Sequence, residues 1–322
     1  MRRVVLAAAL AVAVYTCMVL VSDIGAVMAA ASGLSAGDVP VLLALPLVNY
    51  AFRFLKWDYL LRRVGVRLRT GRSVQVFLSG FAMAVSPGKF GELLKSCLLR
   101  DREGIPVAST SPVIFAERIT DLVSMILLAA LGLALSGGRA ALPAVAAGIV
   151  FTVLTIVFLS SERVFGAFTG IVCRIPRFSG RRDDLCRFRR NCAGLLGPAC
   201  LAVSVPLGML SWGVEAMVLV AAAGAMGAGL EPGAALLAHS AGTVAGAVSM
   251  IPGGLGLTEL TVDGLLSPRL GLARATAVTM VMRFATLWFA VALGAAVLVF
   301  ERRGTSRARR DAETPGCGCG SA

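Results

Sequence analysis

Charge is scarce in this chain. Only 15% of its 322 residues are charged against 57% hydrophobic, and the mean hydropathy is +0.83. A water-soluble domain of this size needs far less apolar sequence, so the soluble globular class is excluded and an integral membrane protein remains. Metal-binding patterns are scarce too. The cysteines at 17, 97, 173, 186, 192 and 200 are scattered, and the one close pair, Cys317 and Cys319, has no His or second Cys pair beside it. That excludes the usual zinc spacing. A metal-dependent transferase acting on a lipid carrier would want an Asp-x-x-Asp run near a loop. The only adjacent loop acids are Asp183 and Asp184, set among arginines. The single histidine, His239, lies in the apolar stretch 235–251 and reads as a packing residue rather than a proton relay. Ser86-x-x-Lys89 has the bare spacing of a serine–lysine acylase, but the companion Ser-Asp-Asn and Lys-Thr-Gly motifs are missing. The expectation is therefore no catalytic residue, no metal and no cofactor.

What is present is apolar runs of membrane length. A full crossing takes about 20 apolar residues. Such runs lie near 4–24, 39–60, 112–135, 141–160, 199–224 and 274–300. The first, behind Met1-Arg2-Arg3, is longer than a signal-peptide core of roughly 7–15 residues and reads as a membrane helix. Two further stretches, 74–86 and 235–251, end at related motifs: Ser86-Pro-Gly-Lys-Phe-Gly-Glu92 and Ile251-Pro-Gly-Gly-Leu-Gly-Leu257. Both contain Pro-Gly-x-x-Gly, through Pro87, Gly88 and Gly91 in one and Pro252, Gly253 and Gly256 in the other, with Gly254 also in the second turn. Each proline is followed 31 residues later by an arginine inside an apolar segment, Arg118 and Arg283. Proline removes a backbone donor and glycine frees the chain to turn, so each motif reads as the tip of a re-entrant hairpin and as a gate or hinge.

The fold class expected is an all-α polytopic integral membrane protein, with six full spans plus two re-entrant hairpins, and eight spans as the alternative. Residues 1–300 form one transmembrane domain in two halves, about 1–135 and 136–300, and 301–322 form a polar, disordered cytoplasmic tail. Arginines at 62, 63, 67, 69 and 72, then from 163 to 190, then from 302 to 310, fall on one side if the hairpins do not cross. The positive-inside effect places that side, and both termini, in the cytoplasm of a cell inner membrane. The net charge of +13 is thus a topology signal and not a nucleic-acid footprint. An odd number of crossings separates the copies, so the second hairpin enters from the face opposite the first. The result is an inverted repeat, the plan of proteins that move cargo across membranes.

Polar residues in these segments are the functional candidates, because a charge at the bilayer centre costs roughly 2.5–3.5 kcal/mol on insertion scales. Asn49, Arg53 and Lys56 share one helix face. Lys56 reads as snorkelling to the cytoplasmic boundary beside Trp57 and Tyr59, while Arg53 sits a turn deeper. Lys89, Glu92 and Lys95 surround the first motif, where backbone amides and a helix N-terminus could receive a phosphate. Glu117, Arg118 and Asp121 lie within reach of one another, either as a structural ion cluster or facing a polar cavity. Glu259 and Asp263 follow the second motif. Arg283 lacks the adjacent acids that Arg118 has, which leaves Glu259 or an anionic substrate as its partner.

The runs Asn49-Tyr-Ala-Phe-Arg-Phe-Leu-Lys-Trp57, Ser86–Glu92, Glu117-Arg-Ile-Thr-Asp-Leu122, Ile251–Glu259 and Met282-Arg-Phe284, taken in order, resemble the flippase-like membrane domain of lysylphosphatidylglycerol synthases. The resemblance runs from about residue 4 to 300. Lys89 departs from it, since many relatives carry arginine there, and lysine lacks the bidentate fork. The resemblance implies movement of an aminoacylated phospholipid or a polyprenol-linked lipid between leaflets. Only about twenty polar residues follow the last span, so it implies no lysyl transfer. Head-group contacts are then expected from Arg53, Lys89, Arg118 and Arg283. Glu92, Glu117, Asp121 and Glu259 would serve as charge partners or proton carriers. The partners expected are membrane lipids with anionic or phosphate head groups, with a homo-oligomer or membrane partner left open. Rival readings are a membrane-embedded glycosyl- or phosphotransferase and a non-transporting scaffold using the basic 163–190 loop, which could equally rest on anionic lipid.

Overall fold

A computed structural model of the protein describes residues 24–86, 92–136 and 182–300, with a few residues between 146 and 167. Outside the described residues lie the span expected before residue 24, most of the one over 141–160, the motif residues Pro87, Gly88, Lys89 and Gly91, and the tail 301–322. The chain is an all-α polytopic membrane protein. Its described helices are α1 (Ile24–Ala31), α2 (Val39–Arg63), α3 (Thr70–Phe81), α4 (Leu94–Glu103) and α5 (Val107–Ser136). They continue with α6 (Arg182–Leu195), α7 (Pro198–Ala225), α8 (Pro232–Val248), α9 (Leu257–Leu270) and α10 (Leu272–Arg283). The last runs on through a π turn, Phe284–Trp288, to Phe300. Four of these, α2, α5, α7 and the extended α10, are long and apolar enough to cross a membrane.

Each span takes its orientation from which face is polar or small. In α2 the buried positions are Leu42, Pro46, Asn49, Tyr50, Arg53, Lys56, Trp57, Leu60 and Leu61, a stripe at spacings of three and four. Leu47, Val48 and Leu55 face outward, where lipid rather than water receives them. The stripe packs on α7, which runs antiparallel: Asn49 meets Ser211, and the Tyr59 hydroxyl donates to the Ala199 carbonyl at the other end. α5 lies parallel to α7, with Ser124 Oγ donating to the Val205 carbonyl and Leu128 against Gly213. Buried positions occur all round α5, as befits the central helix of the bundle.

The two broken segments are helical hairpins. At 12 and 10 residues, α3 and α4 rise about 18 and 15 Å, well short of a hydrocarbon core of about 30 Å. Their outer ends are tied by Arg72 and Glu103 at 3.1 Å, beside the arginine-rich end of α2. The limbs α8 and α9 have 17 and 14 residues, rising about 25 and 21 Å. They pack antiparallel, with Gly242 of α8 on Thr258 and Val262 of α9. This hairpin opens at the other end of the bundle, where Gly233 meets Leu135 at the end of α5. The tips meet inside the molecule: Val85 packs against Leu255 and lies beside Gly253. Hairpins that open at opposite ends and touch at their tips are the inverted arrangement expected from the charge pattern.

Glycine lets the long spans approach these hairpins. A Cβ on Gly132 of α5 would sit 2.6 Å from the Gly233 carbonyl of α8, and one on Gly294 would sit 2.3 Å from the Ala82 amide nitrogen just past α3. Small residues at helix crossings are the usual device of membrane bundles, where close packing replaces the hydrophobic drive. The long span of each hairpin's own half therefore clasps the hairpin of the other half.

Candidate functional site

The centre of the molecule holds a buried network of seven charges. Asp121 of α5 takes Lys56 of α2 and the Trp212 indole N–H of α7 (3.0 Å) on Oδ1, and Arg118 on Oδ2 at 2.9 Å. Glu117 takes Lys95 of α4 on Oε2 at 2.7 Å and Arg118 on Oε1 at 2.9 Å. Glu92, immediately after the first motif, lies 3.3 Å from Arg118 and 3.5 Å from Lys95. Buried charges are tolerated when they are paired, and here each carboxylate has at least two cations beside it. Aromatic faces complete the set, with Lys95 Nζ 4.4 Å above the Trp57 ring.

Arg53 is held differently. Its guanidinium is 3.7 Å from both Glu92 and Glu117, beyond hydrogen-bond reach, and its buried Nε has no partner. Phe81 and Trp212 flank it at 5.1 and 5.2 Å. It is thus a desolvated cation held by aromatic faces and distant carboxylates, with fork donors to spare.

The second centre is smaller. Gly253, Gly254 and Gly256 all have positive φ, and a single 3-10 turn over Pro252–Gly254 separates α8 from α9. L side chains avoid that backbone region, so the turn uses glycine three times. At the start of α9, Glu259 Oε2 accepts from the Gly256 amide at 2.7 Å, the reach-back half of a capping box. Its Oε1 accepts from Arg283 Nε at 2.6 Å, and Arg283 also donates to the Gly253 carbonyl at 2.7 Å. One arginine thereby ties α10 to both the turn and the helix after it. The π turn begins at the next residue, and within it the Thr286 carbonyl accepts from the Tyr50 hydroxyl at 3.0 Å. Such turns interrupt helices most often near functional residues.

Of the expected residues, Arg53, Glu92, Glu117, Arg118 and Asp121 come together at the first centre, and Arg283, Glu259, Pro252, Gly253, Gly254 and Gly256 at the second. Lys89 lies outside the described residues. Snorkelling of Lys56 is overturned: Lys56 and Trp57 are both wholly buried. The helix continues to Arg63, so seven further residues move the boundary about 10 Å beyond Lys56. Arg283 finds Glu259, one of the two partners left open by the sequence. The parts of Trp212 and Ser211 are not legible in the sequence, because nothing in an apolar span distinguishes an inward-facing Trp or Ser. Glu215, one turn further along α7, is buried near Tyr50 and was missed, although it is the sole charged residue in that span. Among the described residues, no three His, Cys, Asp or Glu side chains converge as a metal centre would require.

The geometry defines a class: multi-pass membrane proteins in which two broken-helix hairpins, inverted relative to each other, meet at buried charged centres. The family model described as the lysylphosphatidylglycerol synthase TM region matches residues 4–294, and the chain belongs to that family. No curated protein and no solved structure matches the chain.

Proposed function

We propose that the protein translocates a lipid with an anionic, phosphate-bearing head group between leaflets by alternating access, without chemistry on the cargo. The observation that carries this reading is the pair of hairpins opening at opposite ends and touching at Val85 and Gly253, beside buried cations. Each hairpin is a gate for one face, and neither limb pair crosses by itself. A head group entering past the first gate would meet Arg53, whose fork is free to bind phosphate bidentately. It would next meet Arg118, the most solvent-accessible member of the network, with 22% of its side chain exposed and Nε unpartnered. Phosphate would then take over cations that the carboxylates hold at rest, and Lys89 would contribute from the tip. Arg283 would take the same part on release through the second gate, leaving Glu259 as it does so. The arginine-rich end, and with it both termini, would face the cytoplasm of a cell inner membrane. Family membership in a lysylphosphatidylglycerol synthase membrane region supports a lipid as cargo.

The test is reconstitution of the full chain in liposomes carrying head-group-labelled phosphatidylglycerol or a labelled polyprenyl phosphate. An impermeant quencher added outside should reach label from both leaflets in wild-type vesicles, and reach much less with Arg53→Ala. Quenching no deeper than in protein-free liposomes, with either lipid, would contradict the proposal.

A further inference from the structure

A third buried acid lies apart from both centres. Asp263, on the return limb α9 of the second hairpin, is 6% exposed and accepts hydrogen bonds from the hydroxyls of Thr276 (2.8 Å) and Thr279, both on α10. No cation pairs with it among the described residues, unlike Glu92, Glu117, Asp121 and Glu259. Its surroundings are the apolar core of Val262, Leu266, Ala275, Val278 and Met282. The two threonines also stand out. Thr120, Thr261 and Thr286 return their hydroxyls to carbonyls of their own helices, whereas Thr276 and Thr279 turn theirs to the acid. Charged or titratable groups on the packed elements are Glu259 and Arg269 on α9, Arg274 and Arg283 on α10, Glu215 on α7 and His239 on α8. Glu259, one turn earlier on the same helix, is already paired with Arg283.

We infer that Asp263, with Thr276 and Thr279, is a reversible proton-binding site that couples the second gate to the proton gradient. A carboxylate in an apolar core with only hydroxyl donors is costly to keep charged, and one proton removes that cost. On protonation the carboxyl gains an O–H that must donate, so one threonine oxygen becomes its acceptor and that hydroxyl turns back to its own helix. The tie between α9 and α10 is thereby rearranged, and α10 carries Arg283, the latch of the gate. The route this site would use is the end where the second hairpin opens: an open depression of about 480 Å³ there, lined by Ala26, Ala30, Leu270, Gly271 and Arg274 among others, reaches to two residues before Thr276 on α10. The inference deepens the transport reading and rests on it.

The test needs no cargo, so its failure is distinct from a failure of transport. The full-length protein in lipid is titrated from about pH 9 to 5, and the carboxylic-acid C=O stretch is followed by infrared difference spectroscopy. A band that appears on acidification in wild type and is missing in Asp263→Asn supports the site. Should that variant not fold, Thr279→Val serves: losing one donor to the carboxylate should tighten proton binding about tenfold, moving the band by about one pH unit. An unchanged band in either variant overturns the inference. So does a thermal stabilisation by sodium chloride over choline chloride that requires Asp263, which would make the ligand sodium instead.

Discussion

Arg118 and Arg283 stand at the same distance behind their Pro-Gly motifs, yet they are embedded in opposite ways. Arg118 contacts three carboxylates, Glu92, Glu117 and Asp121, which also serve Lys95 and Lys56, and it keeps part of its side chain accessible. Arg283 has one carboxylate and one carbonyl, both from the turn and helix it secures. The first centre is redundant, because every acid answers to more than one cation. The second is a single latch. A redundant centre can lend a cation to a ligand and stay folded, whereas a latch is either closed or open. The two hairpins of the inverted pair are therefore not mirror images at their charged centres.

Stability measurements on the full chain in mild detergent can separate these two designs. Glu259→Ala should have the largest effect, a loss of about 3–5 kcal/mol, because it strands a buried arginine and uncaps α9 together. If it costs no more than an acid from the first centre, the latch description is wrong. Glu117→Ala comes next, at about 3 kcal/mol, since Lys95 and Arg118 lose short bonds but keep Glu92 and Asp121 nearby. Gly294→Ala should cost about 2 kcal/mol by forcing α10 off the end of α3, and the same change at Gly132 should force α5 off α8. Similar melting shifts at both glycines would show that the clasping is mutual. Arg72→Ala, at the exposed mouth of the first hairpin, should cost at most about 0.5 kcal/mol.

Much of this architecture is legible in the sequence. The four described spans fall within a few residues of their hydrophobic runs, because a run of membrane length has few alternatives. The second break is legible from its Pro-Gly-x-x-Gly, where Pro252 and the positive-φ glycines after it leave little choice. Side-chain partners were harder. The Glu117–Arg118–Asp121 cluster was visible because helix spacing alone brings it together. Lys56 reads as a boundary cation in the sequence because its hydrophobic run ends a few residues before the helix does. The contribution of Trp212 depends on the rotation of α7 about its axis, which a uniformly apolar segment does not encode. Arg283 reaches its partner only because the three-glycine turn folds Glu259 back toward α10.

The most direct test of the central claim asks from which face each hairpin opens. In a cysteine-free background, single cysteines at Gly71 and Asp101 mark the mouth of the first hairpin, and at Glu231 and Arg269 the mouth of the second; all four positions are exposed. With an impermeant thiol reagent applied to sealed vesicles of known orientation, the account expects the first two to react from one side only and the last two only from the other. Reaction of both pairs from the same side would contradict it.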